Sequence, residues 1–288
     1  MSKPCAILVA MGMLCGFAVA EDVVADETAE IEWDEAGHKW LALHAFADVE
    51  TAYLCRGYVM DARPYSAQFA AGELDLAAFG KVEASVWTQS AMSEQGTSAR
   101  MHRYAYAEAD YRIRYYYDLD LAEGWRLRNG IGRQWVTNPG YAGGRTVTDF
   151  QALQALHTPW VTPYWRLRVL RRPIDETYWV VGVERSVELC DGLSFTADFF
   201  GDLGDSRHYA NLYGPNGGVP GARYHGGLQA LNLVLRLDYR LCEHVGLFAF
   251  VGQFCLVSDD ARAAVKAMKV PEAKRDLTYG GVGVAMDF

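Results

Sequence analysis

Apolar residues in this chain recur at every second position, over runs longer than soluble strands usually need. In LQALNLVLRLDYR (228–240), Leu231, Leu233, Leu235, Leu237 and Tyr239 fall on one side. Asn232, Val234, Arg236, Asp238 and Arg240 fall on the other. A helix, with 3.6 residues per turn, would mix these sets, whereas a strand turns successive side chains to opposite faces. HRYAYAEADYRIRYYYD (102–118) sets Ala105, Ala107, Ala109, Tyr111, Ile113, Tyr115 and Tyr117 against Tyr104, Tyr106, Glu108, Asp110, Arg112 and Arg114. TYWVVGVERSVEL (177–189) sets Trp179, Val181, Val183, Val187 and Leu189 against Tyr178, Gly182, Glu184, Ser186 and Glu188.

Alternation alone fits a soluble sandwich as well as a membrane barrel. Three further features select the barrel. The strands read at about 10–13 residues, the length a tilted membrane strand requires, where soluble strands run about 5–6. Aromatic residues collect at the ends of the apolar faces, among them Tyr115, Tyr117, Trp125, Trp135, Trp165, Trp179 and Tyr239, as membrane interfaces favour. The chain also ends inside a strand, GGVGVAMDF, which turns Phe288, Met286, Val284 and Val282 to lipid and small residues inward.

Twelve segments satisfy these conditions: 41–55, 64–72, 80–90, 102–117, 125–136, 146–156, 162–172, 177–189, 193–202, 227–240, 245–257 and 277–288. Tight connections at 73–79, 118–124, 157–161, 190–192 (the Asp191-Gly192 turn) and 241–244 interleave with longer ones at 91–101, 137–145, 203–226 and 258–276. The exceptions, 56–63 and 173–176, are short. The reading is an all-β, transmembrane, antiparallel up-and-down barrel of 12 strands, with short periplasmic turns and long outer loops. Closure is required because hydrocarbon cannot hydrogen-bond an open strand edge.

The first twenty residues read as a secretory signal peptide: Lys3, an apolar stretch from Ala6 to Val19, and Ala18-Val19-Ala20 before Glu21. Residues 21–38 read as a disordered acidic periplasmic segment, with eight Asp or Glu and no Lys or Arg between Glu21 and Gly37. Of the formal charge of −9, Lys3 contributes +1 and this segment −8, so 38–288 carries only −2. A near-neutral body gives no support for nucleic acid as a partner. The expected partners are outer-membrane lipid, the barrel-assembly machinery and a small solute. The expected location is the outer membrane of a Gram-negative cell.

The stretch TAYLCRGYVMDARPYSAQFAAGELDLAAFGKVEASVW carries Tyr53, Arg56 and Gly57, then Pro64, then Val86-Trp87. It resembles an uncharacterised family of Gram-negative exported proteins, whose first strand ends in an aromatic-x-aromatic-Arg-Gly signature. Cys55 stands here in place of the second aromatic. The resemblance implies an outer-membrane barrel and no established activity.

Chemistry-bearing residues are few. Cys55, Cys190, Cys242 and Cys255 survive export and read as isolated thiols, because Cys190 and Cys242 lie two strands apart and Cys55 and Cys255 face opposite sides. His208 and His225 share a loop with Asp202 and Asp205 but lack metal-ligand spacing. Ser98 and His102 have no third group to orient them, and no GxSxG occurs. Neither a catalytic residue nor a cofactor is expected. The inward faces are more informative. Arg112, Arg114, Arg126, Arg128, Arg166 and Arg168 form a candidate basic wall, expected towards the periplasmic half. Asp48, Glu50, Glu184, Glu188, Asp198 and Asp238 form a candidate acidic wall. Opposed walls would orient a permeating solute and favour small anions; the same residues could instead interlock and seal the interior. Clustering of like charge, as at Arg112 and Arg126 on adjoining strands, favours the pore. Phe288, Met286 and Val284 resemble the terminal signal that assembly machinery recognises. The alternative function is a sealed structural or adhesive barrel whose outer loop 203–226 binds a surface partner.

Overall fold

The computed structural model describes residues 40–55, 58–61, 63–92, 108–137, 146–171, 174–213, 224–268 and 274–288. The signal-peptide and acidic segments, 1–20 and 21–38, lie outside them. Fourteen strands follow in order: β1 (Leu41–Glu50), β2 (Tyr53–Cys55), β3 (Tyr58–Asp61), β4 (Tyr65–Asp75), β5 (Lys81–Ala91), β6 (Glu108–Ala122) and β7 (Trp125–Thr137). Then come β8 (Val147–His157), β9 (Thr162–Leu170), β10 (Glu176–Cys190), β11 (Leu193–Gly204), β12 (Gly227–Cys242), β13 (Val245–Leu256) and β14 (Asp276–Asp287). Helix α1 (Ser206–Tyr213) joins β11 to β12, and α2 (Asp259–Ala267) joins β13 to β14.

Twelve of these strands close into an antiparallel barrel in the order β1-β14-β13-β12-β11-β10-β9-β8-β7-β6-β5-β4. The strand edges predicted from periodicity are recovered within a few residues except in the first and fourth segments, and the predicted start of the fourth, 102–107, lies outside the described residues. The first strand stops at Glu50, and β2 and β3 form a separate two-stranded ribbon. The ladder between β1 and β4 ends at Glu50 opposite Tyr65. The next residue of the partner strand is Pro64, which has no amide to extend the ladder. The predicted turn at 118–124 is also shorter, because β6 continues to Ala122.

Alternation sorts the two faces by burial. Along β6, Tyr111 and Ile113 are about half exposed while Arg112 and Arg114 are buried. The outward set carries the apolar surface of a membrane strand, and the inward set carries the charge. Inward small residues have a steric reason. A Cβ on Gly283 would lie 2.3 Å from the Phe248 ring, and one on Gly281 would lie 2.6 Å from the Phe250 ring. The last strand is therefore flat on its inner side so that its neighbour's aromatics can lie against it. Phe69, Phe46, Phe248 and Phe250 form a continuous run, with centroids 5.1, 6.1 and 6.1 Å apart.

The five tight connections and both barrel ends, Leu41 and Asp287, lie at one end; α1, α2 and the ribbon lie at the other. At the tight end Gly192 takes φ +72° in the Asp191-Gly192 turn, the backbone such a turn demands of glycine.

Candidate functional site

The inward charges occupy two levels rather than one wall. Arg114 is the seventh of fifteen residues of β6, and Arg166 the fifth of nine of β9, so both stand near mid-strand. Arg112 and Arg168 lie one inward position closer to the loop end. All four are 2–9% exposed. Arg126 and Arg128, the second and fourth residues of β7, sit at the tight-turn rim. Of the six, Arg126 and Arg128 lie at the tight-turn end and the other four stand nearer mid-strand. Inward parity follows from the alternation, but depth depends on where each strand starts and how the barrel is sheared.

Acids on adjoining strands accompany these arginines. Arg114 donates from Nη2 to Glu83 Oε1 at 2.8 Å and from Nε at 3.3 Å. Arg168 reaches Asp149 Oδ2 with Nε at 3.0 Å and Nη2 at 2.8 Å. Gln134 joins the two sides of this group: it donates to Asp110 and accepts from Arg168 and Gln151. Arg112 lies 4.0 Å from Asp110, and Arg166 stacks over Tyr164 at 4.9 Å. At the rim Arg128 grips Asp118 with two bonds of 3.0 and 2.9 Å, and Arg126 reaches Asp120 at 3.2 Å. Signs therefore do alternate across β6 and β7, where Asp118 pairs with Arg128 and Asp120 with Arg126 in register. The argument from like-charge clustering on those strands does not hold. Glu83, Asp110, Asp118, Asp120, Asp149 and Gln134 were missed as site residues, although reading the paired positions of adjacent strands would have found them. Burying such charges is tolerable where an opposite charge, a hydrogen-bonded neighbour or an aromatic face stands beside them.

The acidic set spreads in the same way. Asp48, Glu50, Asp198 and Asp238 are buried inside, Glu184 is half-buried, and Glu188 is exposed near the tight end of β10. Tyr164 donates to both oxygens of Asp198 at 3.0 and 2.9 Å. Arg236, on the same strand as Asp238, binds it at 2.6–2.9 Å and lies 4.2 Å over the Phe248 ring. Around the closed order β9 stands six strands from β1. Arg166 and Arg168 therefore project from the side of the interior opposite Asp48 and Glu50. What this makes is an interior with arginines on the β6 and β9 side and acids on the β1 side, with the phenylalanine run on β4, β1 and β13.

The remaining candidates separate. His208 is fully buried against Glu176, with Nδ1 3.2 Å from Oε1. His225 instead pairs with Asp260 at 3.0 Å. Among the described residues no three His, Cys, Asp or Glu come together as a metal site. Cys242 and Cys255 carry no disulfide. Ser98 and His102 lie outside the described residues, as do Arg56 and Gly57. Val284, Met286 and Phe288 are exposed on the outward face at 38, 37 and 54%.

No protein-family model matches the sequence, and no curated protein matches it. The signature read at Tyr53, Arg56 and Gly57 thus finds no confirmation. The architecture it implied does have solved counterparts. The COG4313 outer membrane channel from Pseudomonas putida F1 superposes with a TM-score of 0.52 at 9% identity, over 91% of this chain and 100% of that one. The KdgM porin (TM-score 0.46, 8% identity, 86% and 99% covered) and the NanC porin (0.48, 8%, 85% and 98%) are also similar. At these identities the likeness concerns the fold: a closed 12-strand antiparallel barrel of the outer-membrane channel kind.

Proposed function

We propose that this chain is a passive pore of the bacterial outer membrane, admitting small solutes with a preference for anions. The observation that carries the reading is the set of four arginines, Arg112, Arg114, Arg166 and Arg168, inside a closed barrel at mid-height. Guanidinium groups cannot discharge at any physiological pH. In an interior of low dielectric constant their field acts on a passing charge more strongly than it would in water. The acids on the opposite side, Asp48 and Glu50, would give that field a direction and orient a dipolar solute. No reaction chemistry is assigned to the interior.

The second reading is a sealed barrel with a structural or adhesive role. It is favoured by the burial and cross-strand pairing of the same charges, Arg114 to Glu83 and Arg168 to Asp149. Twelve strands lie between barrels of eight, which side chains fill, and those of 16–18, which hold an aqueous channel.

The test is single-channel recording of residues 21–288 in a planar bilayer under a salt gradient. The expected result is discrete conductance with a reversal potential on the anion side. Cation preference would transfer the filter to the acids. A correctly folded but silent barrel would establish the sealed reading and direct attention to loop 203–226.

A further inference from the structure

The outward face carries a polar group where a lipid-facing surface has no use for one. Asn129 on β7, Gln154 on β8 and Trp165 on β9 alternate with buried inward residues, so they point away from the interior. Gln154 donates from Nε2 to Asn129 Oδ1 at 2.9 Å, and Trp165 donates from Nε1 to Gln154 Oε1 at 3.3 Å. Both Nδ2 protons of Asn129 and the second Nε2 proton of Gln154 have no acceptor among the described residues.

Depth makes this costly. Trp125 and Trp135 lie ten residues apart on the same outward face of β7. At about 3.3 Å per residue and a tilt of about 40°, they bracket about 25 Å of height, the thickness of an apolar membrane band. Trp125 meets Trp160 edge-to-face at 5.9 Å at the tight-turn rim. Asn129 is four residues above Trp125, about 10 Å into the band. Water cannot supply the missing acceptors there. The outward polar residues near the loop end, such as Ser66 with Gln68 and Thr278 with Gln253, lie close enough to the strand ends to meet the interface.

We infer that the β7–β9 face is the contact through which two copies of this chain associate in the membrane. The amides select a second copy as the occupant. Each carries donors and an acceptor in one plane, so the patch complements its own image about a two-fold axis. Asn129 Nδ2 of one copy then donates to an amide oxygen of the other. The surroundings suit close approach. Ile131 and Phe150 are half exposed, and the small Ala152 sits in register between Ile131 and Leu167. The charged outward residues flank the patch and are already engaged: Arg133 lies over Trp135 at 5.2 Å, and Arg185 donates to the Trp160 carbonyl at 2.5 Å. Small residues with buried amide contacts are what holds membrane segments together where no hydrophobic drive acts between them. The inference requires only that the barrel spans a bilayer, and it stands whether the interior conducts or not.

The test compares the wild-type full chain with N129L/Q154L, reconstituted in lipid bilayers and counted by single-molecule photobleaching across a series of protein-to-lipid ratios. Unboiled gel mobility verifies that each barrel is folded. Leucine suits a lipid-facing position, so the variant is expected to fold at least as well as the parent. The expected outcome is two-step bleaching for the wild type. In the variant the monomer–dimer equilibrium shifts by at least about tenfold towards monomer. A wild type that is monomeric at every ratio overturns the inference, and so does a double-leucine variant that dimerises as strongly as its parent. Should the double variant fail to fold, N129L and Q154L are measured singly against the same outcomes.

Discussion

Two arginines that look alike in sequence have unlike surroundings. Arg126 is at the rim, paired with an Asp120 whose side chain is 82% exposed; a surface pair of this kind contributes about 0–1 kcal/mol and is screened by salt. Arg166 is buried near mid-strand and lies over the Tyr164 ring at 4.9 Å. If the mid-height arginines set selectivity, Arg166→Glu reverses or strongly reduces anion preference in the bilayer recording, because it changes the interior charge by two units where screening is weakest. Arg126→Glu changes it slightly, and less still at 1 M salt, where the Debye length is about 3 Å. Equal effects from the two substitutions would mean that the rim, not the mid-height level, filters ions. This distinction is invisible in the sequence. RLR recurs as Arg126-Leu127-Arg128 and Arg166-Leu167-Arg168, but the first opens its strand and the second is near the middle of a shorter one.

The elements differ in how much of themselves they announce. The long strands were legible because burial on one face and lipid on the other enforce a period of two over their whole length. The two loop helices were read as plain loops, since at eight and nine residues they are too short to display a helical stripe. The second still leaves a local trace. Ser258 accepts from the Ala261 amide at 3.3 Å, and Asp259 and Asp260 follow in the first turn, where a carboxylate complements the helix N-terminus. Asp260 does a second task. It accepts from the His225 amide at 2.9 Å and lies 3.0 Å from its Nδ1, so it ties α2 to the segment that enters β12. The backbone bond first, then the side-chain bond, hold the Asp260 carboxyl below its ordinary range. A carboxylate with a depressed folded-state pKa stabilises the tie at neutral pH, and that contribution is lost as pH falls through the folded value. Asp260→Asn should therefore speed proteolytic cutting in the described segments it joins, 224–226 and α2 with its flanks at 257–268, at pH 7. The gap to wild type should close only in acid below the ordinary Asp range, once the wild-type carboxyl is protonated as well. A gap that persists unchanged in acid would assign the effect to helix capping by the side chain rather than to its charge.

For the whole molecule the deciding event is closure, because an open twelve-strand sheet would leave the edges of β1 and β14 unsatisfied in hydrocarbon. The two ends meet through a continuous register from His44 opposite Asp287 to Glu50 opposite Gly281. His44 Nδ1 lies 2.7 Å from Asp287 Oδ1. Phe288 adds the last rung: its amide and carbonyl each bond Leu43 at 2.9 Å, and its ring stacks on His244 at 5.2 Å. The terminal aromatic, legible at once as an alternation that stops on Phe, finishes the seam in the structure, and recognition by assembly machinery is a separate proposal for the same ring. Phe288→Ala separates them, because it keeps both backbone bonds and removes only the ring. If the ring is an assembly signal, the variant reaches the outer membrane several-fold less well in cells, yet refolds from urea into detergent as completely as wild type. Phe288→Tyr or Phe288→Trp should then restore assembly in cells. If refolding in detergent falls in step with assembly in cells, the ring acts through its stack on His244, and recognition lies elsewhere in β14. The comparison needs both readings, since membrane yield alone would fall in either case.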